Sequence, residues 1–361
     1  MVAFNNIRYA AMKLIFSNIV WKNNIRWVSG NVNSHGNYSV MFFGNDQFSL
    51  AHLQAMNSLF KERDLITNLN VVSSEPKIVR TRGQKKLQIT PVVKYCHEEG
   101  LPVRHWPIIE DARGFDLGVV VSFGHMIPDR LIQCFPLGIL NVHPSLLPRW
   151  RGASPIPHTI LAGDKITGVT IMQIKPDRFD VGPIVAQEDV PVSTDETTKS
   201  LTELLSRKGS EMLVKVIQDL KTYQQNERVQ SSEGATLAPK LKPSIGVLNW
   251  KNTSLEIDRI FRAVAGQIPI KASWRSEELR LFDMVRLNEN KSFTEGLKDD
   301  NPDCGTMRYH KPSQTLQIRC QDTWVGFRSV AIGRKKNMSA KEFYNGFLSS
   351  NRSGTQTVLA C

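Results

Sequence analysis

The chain has 361 residues, 41% of them hydrophobic, and a net charge of +12, which is enough for two or three domains with at least one sizeable core. No apolar run approaches the roughly 18 residues of a spanning helix and mean hydropathy is −0.26, which argues against a membrane-spanning helix; 22% charged residues alongside abundant Val, Ile and Leu argue against wholesale disorder. The five cysteines form no C-x-x-C pair, a usage that fits a reducing compartment and gives no zinc signature.

The positive charge is unevenly placed. Residues 1–45 hold Arg8, Lys13, Lys22 and Arg26 and no acid, residues 46–240 are nearly balanced at +1, and residues 241–361 carry +7. Residues 1–36 are rich in Asn and Ser, and Ile7, Tyr9, Met12, Ile15 and Phe16 form the apolar face of a candidate amphipathic helix. That composition predicts an organelle transit peptide rather than a secretory signal. The basic C-terminal portion predicts a polyanion partner.

From Tyr38 the pattern becomes strand and helix in turn. Tyr38–Phe43 reads as a strand, Gly44-Asn45-Asp46 as a turn and cap, and Phe48, Leu50, Leu53, Met56 and Leu59 as one helix face. A strand near Leu69–Val72 is followed by Glu75–Lys86, with five basic residues and one acid. That stretch reads as a loop too long for a routine βα turn, ahead of a helix starting near Thr90. Leu117–Phe123, Ile139–Val142 and Val169–Ile174 supply further strands, the first a continuous apolar run of the kind found in parallel sheets. Leu201, Leu204, Leu205, Leu213, Val216, Ile217 and Leu220 mark a long amphipathic helix.

This alternation predicts an α/β domain, Rossmann-like with an open, mostly parallel sheet, over residues 37–221. The polar segment 222–243 reads as a linker. Residues 244–361 show short β-type stretches at Leu279–Phe282, Gly305–Tyr309, Thr315–Ile318 and Trp324–Phe327, which predict a small β-barrel or sandwich.

The densest stretch runs from Gly138 to Ile156. Asn141 and His143 stand two apart at the end of a short apolar strand, so both side chains project on one face, and Pro144 and Pro148 then halt regular structure. An amide and an imidazole N–H pointed at one carbonyl oxygen stabilise the charge that develops there during attack. A nearby carboxylate orients the imidazole and favours its protonated form. No nucleophilic Ser or Cys is needed if the substrate brings its own amine.

The run Asn141-x-His143-x-Ser-Leu-Leu-Pro148-Arg-Trp-Arg-Gly152-x-x-Pro155-Ile156, with Gly168-Val-Thr-Ile-Met-Gln173 and Asp180-Val-Gly182, resembles the methionyl-tRNA formyltransferases of mitochondrial type. The resemblance runs from about Val40 to about Phe343. It implies Asn141, His143 and Asp180 as the catalytic trio, and Ser145, Leu146, Leu147 and Pro148 as the folate-contacting loop. Phe123, Gly124, Met126 and Ile127 correspond to a loop that lines the family's pterin pocket. The implied donor is 10-formyltetrahydrofolate and the implied acceptor the amine of methionine on initiator tRNA, with no metal. Asp177 competes for the carboxylate role, because Lys175–Asp180 is one residue longer than the common form; Val181-Gly182 after Asp180 favours the latter.

The same resemblance turns Glu75–Lys86 into the family's insertion loop, with Arg80, Arg82, Lys85 and Lys86 as tRNA contacts. Arg334-Lys335-Lys336 matches a basic motif of an OB-like C-terminal domain, which adds Lys335 and Lys336. It implies a monomer in the mitochondrial matrix with no membrane partner. Two readings compete: another folate-dependent formyltransferase, and an RNA-binding relative without catalysis.

Overall fold

The first strand-to-helix turn shows how local chemistry directs the chain. In the structure, a computed structural model that describes residues 37–63, 65–81, 84–107, 111–176, 178–285, 302–349 and 355–357, strand β1 (Tyr38–Gly44) is followed by helix α1 (Gln47–Glu62). The Asp46 carboxylate accepts from the Ser49 amide and the Ser49 hydroxyl accepts from the Asp46 amide, each at 2.9 Å. Two orphan donors at the helix start are thus satisfied reciprocally. Phe48, Leu53, Met56 and Leu59 then fall on the buried face.

β2 (Ile66–Ser74) runs parallel to β1, with Phe42 opposite Val71. Where the sequence predicts a long basic loop, the chain forms a separate hairpin: β3 (Lys77–Thr81) and β4 (Gln84–Gln88) pair antiparallel, Arg80 opposite Lys85 and Val79 opposite Lys86. Helix α2 (Pro91–Glu99) follows, capped by the Thr90 hydroxyl on the Val93 amide, with Pro91 in its first turn. β5 (Val103–Trp106) pairs with β2, and the wholly buried β6 (Leu117–Val121) pairs with β1, both in parallel. The short helix α3 (Asp129–Ile132) leads to β7 (Ile139–His143), parallel to β6 with Val120 opposite Asn141.

Helix α4 (Pro155–Ala162), β8 (Ile166–Gln173) and β9 (Ile184–Pro191) come next. The sheet order is β5-β2-β1-β6-β7-β8-β9. The Ile174 amide, just past β8, donates to Ile139 at the start of β7 (2.8 Å), so β8 runs against its neighbour while the five strands before it are parallel. Chain order reverses between β1 and β6, and in such sheets ligands bind beyond the carboxyl ends of the strands near the reversal. Asn45 holds these ends together: its Nδ2 donates to the Phe123 carbonyl (2.5 Å) and its Oδ1 accepts from the Ser74 amide (2.7 Å). Beneath them lies a core of Met41, Phe43, Val72, Phe115, Val120, Phe123 and Phe135.

Helix α5 (Thr198–Gln218) buries Leu201, Leu205, Leu213, Val216 and Ile217 on one stripe, as its spacing predicts, and α6 (Leu220–Gln225) follows. Segment 222–243 is hydrogen-bonded along its length. Its first residues complete α6, Arg228 exchanges backbone hydrogen bonds with Ile184 (2.8 and 2.9 Å), and Arg151 bonds both Thr236 and Ala238 (2.9 and 2.7 Å).

Helix α7 (Ser254–Val264) carries a second capping box, Thr253 with Glu256. Then come β10 (Ile270–Trp274), β11 (Glu277–Met284), β12 (Thr306–His310), β13 (Thr315–Arg319), β14 (Trp324–Ile332), β15 (Met338–Ser339), helix α8 (Ala340–Phe343) and β16 (Thr355–Thr357). They form one antiparallel sheet ordered β10-β11-β14-β13-β12-β16, with β15 paired to β14. Leu279, Leu281, Met307, Leu316, Ile318, Phe327 and Phe343 are buried against it. By contact the chain divides into two compact units, one of residues up to His143 with Ile171–Ala186 and Gly209–Val229, the other of Pro144–Thr170, Gln187–Lys208 and the chain from Gln230 on. Among the described residues no helix is long and apolar enough to cross a membrane. The segment 1–36, read as a transit peptide, lies outside the described residues.

Candidate active site

Asn141 and His143 stand two residues apart at the carboxyl end of β7, and strand alternation sends both side chains to one face. Loop 174–183 folds back over that face. Its base is closed by the Gln173 amide on the Pro183 carbonyl (3.0 Å) and its tip by a backbone bridge between Lys175 and Arg178. Asp180 sits at φ +55°, a left-handed conformation that Asp tolerates better than most residues, and its carboxylate meets β7.

Asn141 Nδ2 donates to Asp180 Oδ1 at 3.3 Å, and His143 Nδ1 lies 3.7 Å from the same oxygen, an ion-pair separation rather than a hydrogen bond. The His143 and Asp180 side chains are 6% and 10% exposed, so water screens this cluster weakly. Gly182 is needed for the arrangement: a Cβ there would come within 1.7 Å of the Gln173 carbonyl oxygen. This close approach accounts for the glycine two residues after Asp180. Asp177, the competing carboxylate, lies outside the described residues.

The loop after His143 has its own supports. Ser145 is fully buried and its hydroxyl donates to the Arg149 carbonyl at 2.6 Å, so that group is committed within the loop. Thr170 on β8 donates to the Ser145 carbonyl (2.6 Å) and accepts from the Leu147 amide (3.1 Å). Gln187 on β9 donates to the Leu147 carbonyl (3.0 Å) and to the Thr170 hydroxyl (2.9 Å). Leu147 is buried, Leu146 and Pro148 are half-buried, and the Leu147–Pro148 peptide is cis. Gln187 carries no motif signal, and Thr170, although it stands inside the Gly168–Gln173 run, is not singled out there as a support of the loop.

Arg149, Trp150 and Arg151 turn their polar atoms into the fold. Arg149 pairs with Asp164 through two hydrogen bonds (2.9 and 2.7 Å), which raise its pKa, and the Trp150 indole N–H donates to the same carboxylate at 2.7 Å. Arg151 donates twice to Gln230 Oε1 (3.1 and 2.7 Å). At Gly152, with φ +128°, a Cβ would come within 2.6 Å of the Ala238 carbonyl oxygen.

In the loop matched to the family's pterin pocket, Phe123 and Ile127 are buried core residues, Gly124 is exposed with φ +75°, and Met126 is 45% exposed. Trp106, Phe123 and His125 pack against one another there, ring centroids 5.0 to 5.9 Å apart. Among the predicted tRNA contacts, Arg80 on β3 and Lys85 and Lys86 on β4 are exposed, while Arg82 lies outside the described residues. In the paired hairpin Arg80 and Lys85 share one face with Ile78 and Leu87, which are 50% and 39% exposed, and Lys86 lies on the other. Lys335 and Lys336 are exposed in the turn between β14 and β15, the ammonium of Lys335 lying 5.9 Å from the Phe347 ring centroid.

Comparison with known proteins shows which family the chain resembles. Residues 38–217 match the formyl transferase family model and residues 240–348 the formyl transferase C-terminal domain. The mitochondrial methionyl-tRNA formyltransferases of Homo sapiens and Bos taurus are 43% and 44% identical to the chain over 86% of its length and 78% of theirs. The chain belongs to the methionyl-tRNA formyltransferase family. The fold has a solved counterpart in an N-formyltransferase from Helicobacter canadensis, determined in complex with folinic acid and dTDP-3-aminofucose. It superimposes with a TM-score of 0.58 at 16% identity, covering 83% of this chain and 100% of that one.

In this formyltransferase the residues present fit a folate donor. An amide, an imidazole and a carboxylate converge on one point, and an aromatic cluster of Trp106, Phe123 and His125 stands beyond the ends of β5 and β6, the type of side chain against which a flat ring packs. Among the described residues no group of three His, Cys, Asp or Glu is placed to hold a metal.

Proposed function

We propose that the chain transfers the formyl group of 10-formyltetrahydrofolate to the free amine of methionyl-tRNA, the initiator species, and so makes N-formylmethionyl-tRNA for translation initiation in the organelle. The convergence of Asn141 and His143 on a single oxygen of Asp180 is the observation that carries this reading. The donor supplies a formyl carbon bonded to a nitrogen. Asn141 and His143 direct N–H groups toward the formyl oxygen, where negative charge grows as the amine attacks. Asp180 orients His143 and helps pass the proton lost by the amine to the departing nitrogen. A new carbon–nitrogen bond forms to the methionyl amine as the old one breaks, with no enzyme nucleophile. Ser145, Leu146, Leu147 and Pro148 shape the donor side through backbone groups and the Leu146 side chain.

For tRNA, Arg80, Arg82, Lys85 and Lys86 contact the acceptor stem from the β3–β4 hairpin and Lys335 and Lys336 from the C-terminal domain, as a sequence-independent electrostatic term. The proposed organisation is a transit peptide at 1–36, a catalytic domain at 37–221, a linker at 222–243 and an OB-like tRNA-binding domain at 244–361. The proposed setting is the mitochondrial matrix, as a monomer. The mitochondrial relatives support the compartment and the acid-free N-terminus supports import. The decisive experiment incubates purified protein and 10-formyltetrahydrofolate with initiator or elongator methionyl-tRNA. Formylmethionyl product on the initiator is expected; no product on either tRNA would overturn the reading.

A further inference from the structure

The loop that carries Asp180 also presents Phe179, 60% exposed, while the side chain of its neighbour Asp180 is turned inward at 10% exposure. A phenyl ring left in water forgoes the burial that gives aromatic residues their weight in cores. Single exposed apolar residues are ordinary, but this one is held in register with the reacting groups. The Gln173–Pro183 hydrogen bond and the Lys175–Arg178 bridge close the loop, and the Asp180 carboxylate ties it to Asn141. The ring therefore stands one residue away from the trio. Two cations of the same loop, Lys175 and Arg178, are exposed beside it.

We propose that Phe179 is the stacking platform for the 3′-terminal nucleobase of the acceptor tRNA, with Lys175 and Arg178 neutralising the adjoining phosphates. The inference rests on the formyl-transfer reading: the methionyl amine must reach Asn141, His143 and Asp180, and its ester linkage brings the terminal adenosine to the same loop. An aromatic face accepts any base, and cations flanking it match a phosphate-bearing strand. A folate ring is the other flat group that the formyl-transfer reading brings to the trio, and the test separates the two.

Dissociation constants for intact initiator tRNA, and for the same tRNA lacking its 3′-terminal nucleotide, are measured at one fixed salt concentration. The proteins compared are wild type, Phe179→Ala and Phe179→Tyr. Phe179→Ala is expected to weaken intact tRNA by about 5- to 100-fold, Phe179→Tyr to bind like wild type, and the loss to vanish on the shortened tRNA. An equal loss on both tRNAs, no loss on either, or a rise in KM for 10-formyltetrahydrofolate in its place would each overturn the proposal. Formylation by the wild-type protein is assayed in parallel. Its absence would sink the formyl-transfer reading and is a separate result from the binding cycle.

Discussion

His143 Nδ1 and Asp180 Oδ1 face each other at 3.7 Å, and the same carboxylate oxygen accepts from Asn141 at 3.3 Å. One oxygen on a folded-back loop therefore lies against both groups of the strand, and under the proposed function the three serve as a unit. Asn141→Ala and His143→Ala are each expected to lower kcat/KM for formyl transfer by about 10²–10³-fold. Binding of methionyl-tRNA should stay near wild type, and the double variant should cost little more than either alone. Steady-state kinetics with a parallel binding assay checks this; a purified His143→Ala protein working at wild-type rates would remove the assigned role.

Gly182 holds the loop closed by tolerating the Gln173 carbonyl at its Cα. Gly182→Ala forces the two backbones apart, and a loss of about 1–3 kcal/mol in unfolding free energy is expected, together with reduced turnover as Asp180 is displaced. Urea denaturation and kinetics on the same preparation report both. A variant as stable and as active as wild type would show that the close approach is not needed.

The exposed bases of the β3–β4 hairpin and of the β14–β15 turn make a salt-dependent prediction. Arg80→Ala, Lys85→Ala with Lys86→Ala, and Lys335→Ala with Lys336→Ala should weaken tRNA binding. Each should also flatten the slope of log affinity against log salt by about one for every phosphate left without its cation. Slopes indistinguishable from wild type would mark these residues as ordinary surface charge.

His52 gives a stability prediction with a definite sign. It is fully buried in α1, its Nδ1–H donates to the Phe48 carbonyl at 2.9 Å, and Nε2 has no partner among the described residues. Burial depresses its pKa from 6.5 to about 4, so between those values the unfolded chain holds a proton that the folded chain refuses. Stability falls as pH drops through this window, by about 2 kcal/mol at pH 5 relative to pH 7.5 from this group alone. His52→Gln should shrink the difference in melting temperature between the two pH values; an unchanged difference would show that His52 does not contribute.

The parts of the site legible in the sequence are those set by short-range rules. Asn141 and His143 share a face because a strand alternates with period two. Asp180 is distinguished from Asp177 by the Val-Gly that follows, and the close approach of Gly182 to Gln173 supplies the physical reason. Other features depend on pairing between distant segments. Glu75–Lys86 reads as a charged loop until Ile78 meets Leu87 and Val79 meets Lys86 across a hairpin. Segment 222–243 reads as a linker from its polar composition, and nothing in that composition announces the backbone hydrogen bonds of Thr236 and Ala238 with Arg151. Gln187 looks like any polar residue within a strand and Thr170 is only one position of the Gly168–Gln173 run, and the folded neighbourhood alone reveals what they hold.

The three residues by which the motif is most easily spotted, Arg149, Trp150 and Arg151, spend their donors on Asp164 and Gln230. A clinical or genetic survey that scores variants only by missing product would file them with the chemistry, whereas a melting curve would file them with the scaffold.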